Sequence, residues 1–169
     1  MKRLILISCP PFLKKDGKAA DEERIRRLNH EEQREIKNLI NELAHPDETA
    51  NEKFLKVAGL AYKADAFDPI SDDHDLIEVR YDVFQSVWNE ASTLREQGEL
   101  LPMAQRITCP VVAIHGDYDP HPYLGVKEPL SQVLSDVEFI LLKKCGHKPW
   151  NERFARDQFY KVLRRYLTN

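Results

Sequence analysis

Two stretches of the chain decide its fold: VVAIHGDYDPHP at residues 111–122 and VEFILLKKCGHKPW at residues 137–150. Each begins with an apolar run and becomes polar at a glycine or at a pair of lysines. A third run, RLILIS at residues 3–8, ends at Cys9 and two prolines. Continuous apolar runs of this length are typical of strands that a parallel sheet buries on both faces. The sequence therefore predicts three buried strands.

Helical patterns separate and follow these strands. Residues 126–134 form one such pattern between the second and third strands, and residues 150–167 form another. In the last pattern apolar residues recur at helical spacing, namely at Phe154, Phe159, Val162, Leu163 and Tyr166. Strands that alternate with helices predict a parallel sheet built by right-handed crossovers, and so an α/β fold.

The segment between the first two strands differs, because it contains no strand pattern and three helical patterns. Asn29 and Glu32 have the spacing of a capping box that begins the first helix. A second helix is predicted to begin at Pro46, and a third to span residues 76–97. We therefore predict a helical insert within an α/β core.

Length and charge fit one globular unit of ordinary composition. At 169 residues, 42% of them hydrophobic, the chain has the size of a single domain. We assign residues 1–17 and 102–169 to the core and residues 18–101 to the insert. A net charge of −3 and mixed runs such as DEER at residues 21–24, typical of a solvated helix face, argue against a nucleic-acid partner. We also expect no membrane segment, because no apolar run is long enough.

The three cysteines, Cys9, Cys109 and Cys145, are odd in number and lack the spacing of metal ligands. They predict reduced thiols and a cytoplasmic protein. We expect no metal and no cofactor. The acidic run DDHD at residues 72–75 is predicted to begin a helix, because four neighbours on one loop rarely point at one ion.

Polar side chains follow the second and third strands at the point where each ends. Asp119 follows the second strand and His147 follows the third. Because ligands of open parallel sheets bind beyond the carboxyl ends of the strands, the two side chains are expected to converge. A carboxylate bonded to one imidazole nitrogen fixes the tautomer and leaves the other nitrogen to act as a general base. Asp117 lies two residues earlier in the same stretch.

Together, the strand-Gly-x-x-Asp pattern, the following strand-Gly-His pattern, the closing helix and the helical insert resemble the end of an α/β-hydrolase. The resemblance covers essentially the whole chain, with residues 3–8 as the sixth strand and residues 18–101 as the cap. It implies that Asp119 is the triad acid, with Asp117 the weaker candidate, and that His147 is the triad base. It also implies that the ancestral reaction is hydrolysis of a carbon-ester or amide bond. The order Asp then His matches the Ser-Asp-His order of that fold.

The chain departs from the family in lacking a Gly-x-Ser-x-Gly nucleophile elbow and an oxyanion loop. We therefore expect it to be inactive alone. One alternative is a non-catalytic module for binding a small ligand or for assembly, and another is an enzyme that uses Cys9 or a water activated by His147. Phe12, Trp88 and Trp150 are predicted to contact a ligand or simply to pack, and His115 is predicted to be a core residue.

The first strand would normally pair with a strand that precedes it. Its edge then offers unpaired backbone groups to another chain. We expect either a homo-oligomer such as a dimer, or a partner chain that supplies the N-terminal half. A small ester or amide is the expected substrate of the completed enzyme.

Overall fold

The computed structural model describes residues 2–71 and 79–168. Three parallel strands form one sheet in the order β1-β2-β3: β1 at Leu4–Ile7, β2 at Val111–Gly116 and β3 at Val137–Leu142. This confirms the predicted α/β class with three parallel strands. The register pairs Ile7 with Ile114 and Gly116 with Leu142, so the three strands end at the same edge.

The helices of the described residues fall into two groups. Five lie between β1 and β2: α1 at Lys14–Arg27, α2 at His30–Leu43, α3 at Ala50–Asp65, α4 at Tyr81–Glu96 and α5 at Leu100–Ala104. The others belong to the C-terminal part: α6 at Leu124–Val133, a 3-10 helix at Pro149–Asn151 and α7 at Arg156–Leu167.

The sheet carries a helix on each face. On one face, Val112 and Ile114 of β2 pack with Phe159 of α7. On the other face, Val111 and Ala113 pack with residues of α6. All six residues of β2 are buried, because β2 lies between the other two strands, whereas the four residues of β1 are only partly buried.

The insert packs around two small apolar clusters of its own. Asn29 accepts hydrogen bonds from two backbone N–H groups of the first turn of α2, and the Glu32 side chain accepts from Asn29 N, which confirms the predicted capping box. Sequence periodicity predicted three helices here, whereas the structure also has α1 and α5. Helix α1 escaped prediction because Ala20 is its one buried residue, and α5 is too short to show a period.

The C-terminal helix begins later than predicted. Instead of one helix over residues 150–167, the chain forms the 3-10 helix, an irregular turn at Glu152, and then α7 from Arg156. The Glu152 carboxylate accepts hydrogen bonds from three backbone N–H groups of other segments. These bonds fix the turn at Glu152, so that α7 begins only after it.

Candidate active site

Two loops at the carboxyl edge of the sheet bring together the predicted acid and base. Asp119 lies in the loop after β2 and His147 in the loop after β3. The His147 Nδ1 atom lies 2.8 Å from Asp119 Oδ2. The side chain of Asp119 is 0% exposed and that of His147 is 31% exposed. The convergence that the sequence predicted is therefore present in the structure.

Gly116 lets the two loops approach each other. A Cβ atom at this position would overlap the carbonyl oxygens of Cys145 and Gly146. The loops are joined by a hydrogen bond from Tyr118 N to Cys145 O (2.9 Å). Asp117 braces the same contact, because its Oδ1 accepts from Cys145 N at 3.3 Å. The weaker candidate for the acid thus holds the loops together, while Asp119 makes the hydrogen bond to His147.

Asp119 is held as a carboxylate by its hydrogen bonds. Its Oδ1 accepts from the backbone N (3.0 Å) and from Nδ1 (2.8 Å) of His121, while Oδ2 accepts from His147. Burial raises the pKa of Asp119, but the side-chain hydrogen bonds from His121 and His147 outweigh burial and hold the pKa well below its usual range. The acid is therefore ionised at neutral pH.

His121 and Arg24 are members of this site that sequence reasoning missed. Arg24 Nη2 lies 3.2 Å from His121 Nε2. The same guanidinium binds both oxygens of Asp65 at 2.7 and 3.0 Å. Arg24 lies on α1 and Asp65 ends α3, so the insert contacts the acid through one imidazole. A histidine two residues after the acid was the available signal for His121, while nothing in the DEER run marked Arg24.

His147 is positioned for acid–base chemistry. Its Nδ1 bonds to Asp119, and its backbone N donates to Asp65 O at 3.0 Å. Within residues 2–71 and 79–168, no hydrogen bond engages Nε2, and the side chain is partly exposed. A histidine that donates through Nδ1 to a carboxylate carries its lone pair on Nε2, where it can accept a proton.

Glu152 fixes the loop that carries His147. Its side chain accepts from Phe67 N (2.8 Å), Asp68 N (2.9 Å) and Gly146 N (2.9 Å), and the residue is 1% exposed. Gly146 also lies so close to α3 that a Cβ would overlap Asp65 O. One carboxylate thus ties the end of α3 to the residue that precedes His147.

Comparisons of the chain with known proteins find matches among solved structures. No family model matches the sequence. No curated protein matches it either. Among solved structures, the crystal structure of VinJ matches 98% of this chain and 57% of its own, with a TM-score of 0.58 and 19% identity. A proline iminopeptidase from Mycobacterium smegmatis matches 98% of this chain and 56% of its own, with a TM-score of 0.51 and 16% identity.

The chain has the fold of the C-terminal portion of an α/β-hydrolase. It spans a little more than half the length of either solved structure. The structural likeness to these two proteins, at such low sequence identity, shows the fold alone. Any reaction follows from the chemistry of the site.

In this α/β-hydrolase fold, two further candidates for chemistry have structural explanations. His115 is buried in β2, and its Nε2 donates to His121 O at 3.0 Å, while Nδ1 has no hydrogen-bond partner among the described residues. Burial lowers the pKa of His115, so the ring stays neutral. It is a core residue, as predicted. Burial raises the pKa of Cys9 to about 11, only partly offset by Arg95, so a thiolate nucleophile is disfavoured.

The three residues that were predicted to contact a ligand lie in separate parts of the fold. Phe12 packs against the cluster beneath the sheet that includes Val126. Trp88 lies on α4 with 41% exposure, and Trp150 lies against Phe159 of α7 at a ring-centroid distance of 6.2 Å. Their role in binding stays a prediction. The acidic run at residues 72–75 lies outside the described residues.

A bound metal fits this cluster less well than a hydrogen-bonded network does. In the described part of the chain, Asp119, His121 and His147 offer ligand atoms that all lie within 4.8 Å of one another. However, both Nδ1 atoms already face the carboxylate at hydrogen-bond distance, and the Arg24 guanidinium beside His121 would repel a cation. These donors therefore favour an acid–base site.

None of the described helices has both the length and the apolar character that a bilayer crossing requires.

Proposed function

We propose that this chain supplies the acid and the base of a serine-type hydrolase that cleaves carbon-ester or amide bonds. The observation that carries the proposal is the 2.8 Å contact between Asp119 Oδ2 and His147 Nδ1 at the carboxyl edge of the sheet. His147 Nε2 would take the proton of a serine hydroxyl as that oxygen attacks the carbonyl carbon. Asp119 would stabilise the imidazolium, which then passes the proton to the leaving group.

The nucleophile would come from polypeptide outside these 169 residues. The sequence has no serine framed by glycines at the spacing of a nucleophile elbow. The matched structures are almost twice as long as the segment that they share with this chain. One of the two matched structures is a proline iminopeptidase, which supports acyl transfer as the reaction class. The specific substrate is set by parts that complete the pocket.

The edge of β1 is the proposed attachment point for that polypeptide. In the described residues β1 pairs with β2 alone, through Leu4–Ile7. Its four apolar residues remain only partly buried, in contrast to the fully buried β2. An added strand would satisfy the backbone groups of this edge, and the helices that accompany it would cover more of the apolar faces of β1. A second copy of the chain could use the same edge, which would give the predicted homodimer.

A serine-directed fluorophosphonate probe tests the proposal. The tagged chain is purified from its own organism with any polypeptide that accompanies it, and the mixture is labelled. We expect a labelled serine outside residues 1–169, and we expect His147→Gln to abolish the label while Asp117→Asn keeps it. Labelling that survives His147→Gln, or no labelled serine at all, would contradict the catalytic proposal and favour the non-catalytic binding or assembly module.

Light scattering tests the attachment point. Monodisperse behaviour at the mass of one 169-residue chain, together with cooperative unfolding, would argue against an edge that needs a partner.

We also propose a location in the cytoplasm, because all three cysteines are free thiols.

A further inference from the structure

We propose that His121 and Arg24 are positioning residues of the site: Arg24 holds His121 in its neutral Nδ1–H form, and His121 in turn fixes the Asp119 carboxylate for His147. This inference deepens the proposed function and rests on it for its catalytic meaning. The protonation pattern itself can be measured on the chain alone.

His121 supplies most of the hydrogen bonding of the acid. Among the described residues, Asp119 accepts three hydrogen bonds, and two of them come from the backbone and the side chain of His121. Both end on Oδ1, which leaves Oδ2 facing His147. A carboxylate whose two oxygens are bound on opposite sides cannot rotate without breaking a charge-assisted hydrogen bond.

Arg24 decides which nitrogen of His121 carries the proton. A guanidinium only donates and stays charged throughout the accessible pH range. With Arg24 Nη2 3.2 Å away, His121 Nε2 must offer its lone pair, so the proton lies on Nδ1 and points at Asp119. The opposite tautomer would set N–H against N–H at Arg24 and a lone pair against the carboxylate at Asp119.

Asp65 holds Arg24 in place from the other side. Its two oxygens bind the guanidinium at 2.7 and 3.0 Å, and its own backbone oxygen accepts from His147 N at 3.0 Å. The network therefore closes on itself, from His147 through Asp119, His121 and Arg24 back to Asp65. Other charged or titratable groups near it are Asp21, 3.4 Å from Arg24, and His115, 3.7 Å from Asp119.

Nitrogen-15 NMR of the histidine side chains of the full 169-residue chain tests this assignment. We expect His121 to show a protonated Nδ1 and an unprotonated, hydrogen-bonded Nε2 at neutral pH. Arg24→Leu removes the donor and should shift the Nε2 signal toward the protonated type, whereas Arg24→Lys should preserve the wild-type pattern in part. The matched control is Arg26→Leu, because Arg26 lies on the same helix and its hydrogen bonds within the described residues all go to Glu23.

His121→Phe tests the second half of the inference. Phenylalanine keeps a planar aromatic ring, although a larger one, and loses the donor to Asp119, so the Nδ1–H proton of His147 should exchange with water about fivefold to tenfold faster. In the assembled enzyme, the same variant should lower kcat with little change in KM. A wild-type His121 protonated on Nε2, or an unchanged His147 signal in His121→Phe, would overturn the inference even if esterase activity is found. Absence of activity with the expected NMR pattern would instead overturn the proposed function alone.

Discussion

Replacing Glu152 tests how the loop that carries His147 is held. The wild-type carboxylate is buried and accepts from three backbone N–H groups. In Glu152→Gln, the remaining oxygen can still serve Phe67 and Gly146, but the new NH2 group faces the N–H of Asp68. One hydrogen bond is lost, and the Asp68 N–H and the new NH2 group both lack an acceptor at this contact.

The expected loss in free energy of unfolding follows from these contacts. A hydrogen bond to a charged group contributes about 1.5–3 kcal/mol, and an unsatisfied buried donor costs about 1–3 kcal/mol. Because the two figures describe overlapping effects, we expect Glu152→Gln to cost about 2–3 kcal/mol. Glu152→Ala leaves all three donors without an acceptor and should cost ~4 kcal/mol or more.

Urea unfolding followed by far-UV circular dichroism measures both variants at neutral pH. Glu90→Gln, an exposed position on α4, is the matched control and should change stability by less than about 0.5 kcal/mol. A Glu152→Gln protein as stable as this control would refute the reasoning. It would mean that the loop is held by other contacts and that the carboxylate is incidental.

Three further predictions follow from burial and close packing. Burial lowers the pKa of His115 from 6.5, so below about pH 6.5 the unfolded chain binds a proton that the folded chain resists. The free energy of unfolding should therefore decrease as the pH is lowered, by up to about 1.4 kcal/mol per pH unit, and His115→Gln should flatten that slope. Burial raises the pKa of Cys145 to about 12, so iodoacetamide at pH 8 should label the partly buried Cys109 well before Cys145. Gly116→Ala should destabilise by ~2 kcal/mol or more, because its Cβ overlaps backbone, whereas Gly17→Ala in α1 should be neutral or stabilising.

For each of these three predictions, a specific result would contradict the reasoning. A slope between pH 7 and 5 that is the same with and without His115 would show that other groups set the pH dependence. Equal labelling rates of the two thiols in the native protein would contradict the burial of Cys145. Identical effects of the two alanine substitutions would show that the loops can separate without cost.

The sheet and the acid–base pair were accessible from sequence for a physical reason. The apolar run at residues 137–142 predicted a buried strand, and the predicted bounds agree with β3, although Leu142 is its one fully buried residue. Asp119 and His147 were predictable because a parallel sheet brings the ends of neighbouring strands together. Neither inference required knowledge of side-chain orientation.

The supporting network was not accessible in the same way. Arg24 lies 97 positions from His121 along the chain, and Glu152 is 84 and 85 positions from two of the three backbone groups that it binds. Such contacts depend on how the insert rests on the core, which periodicity does not encode. Charged residues in a mixed run also look the same whether they face water or another side chain, so Arg24 was indistinguishable from Arg26.

The crossing of Gly146 beneath the end of α3 constrains how this architecture can be recombined. A chimera that transplants a helical cap from another protein of this fold would have to reproduce the local path of residues 65–68, since that path meets both Gly146 and the Glu152 carboxylate. Grafts that join the donor segment beyond these four positions would keep the imidazole aligned. Grafts that replace them would leave the loop that carries His147 without these contacts, however well the new helices fold.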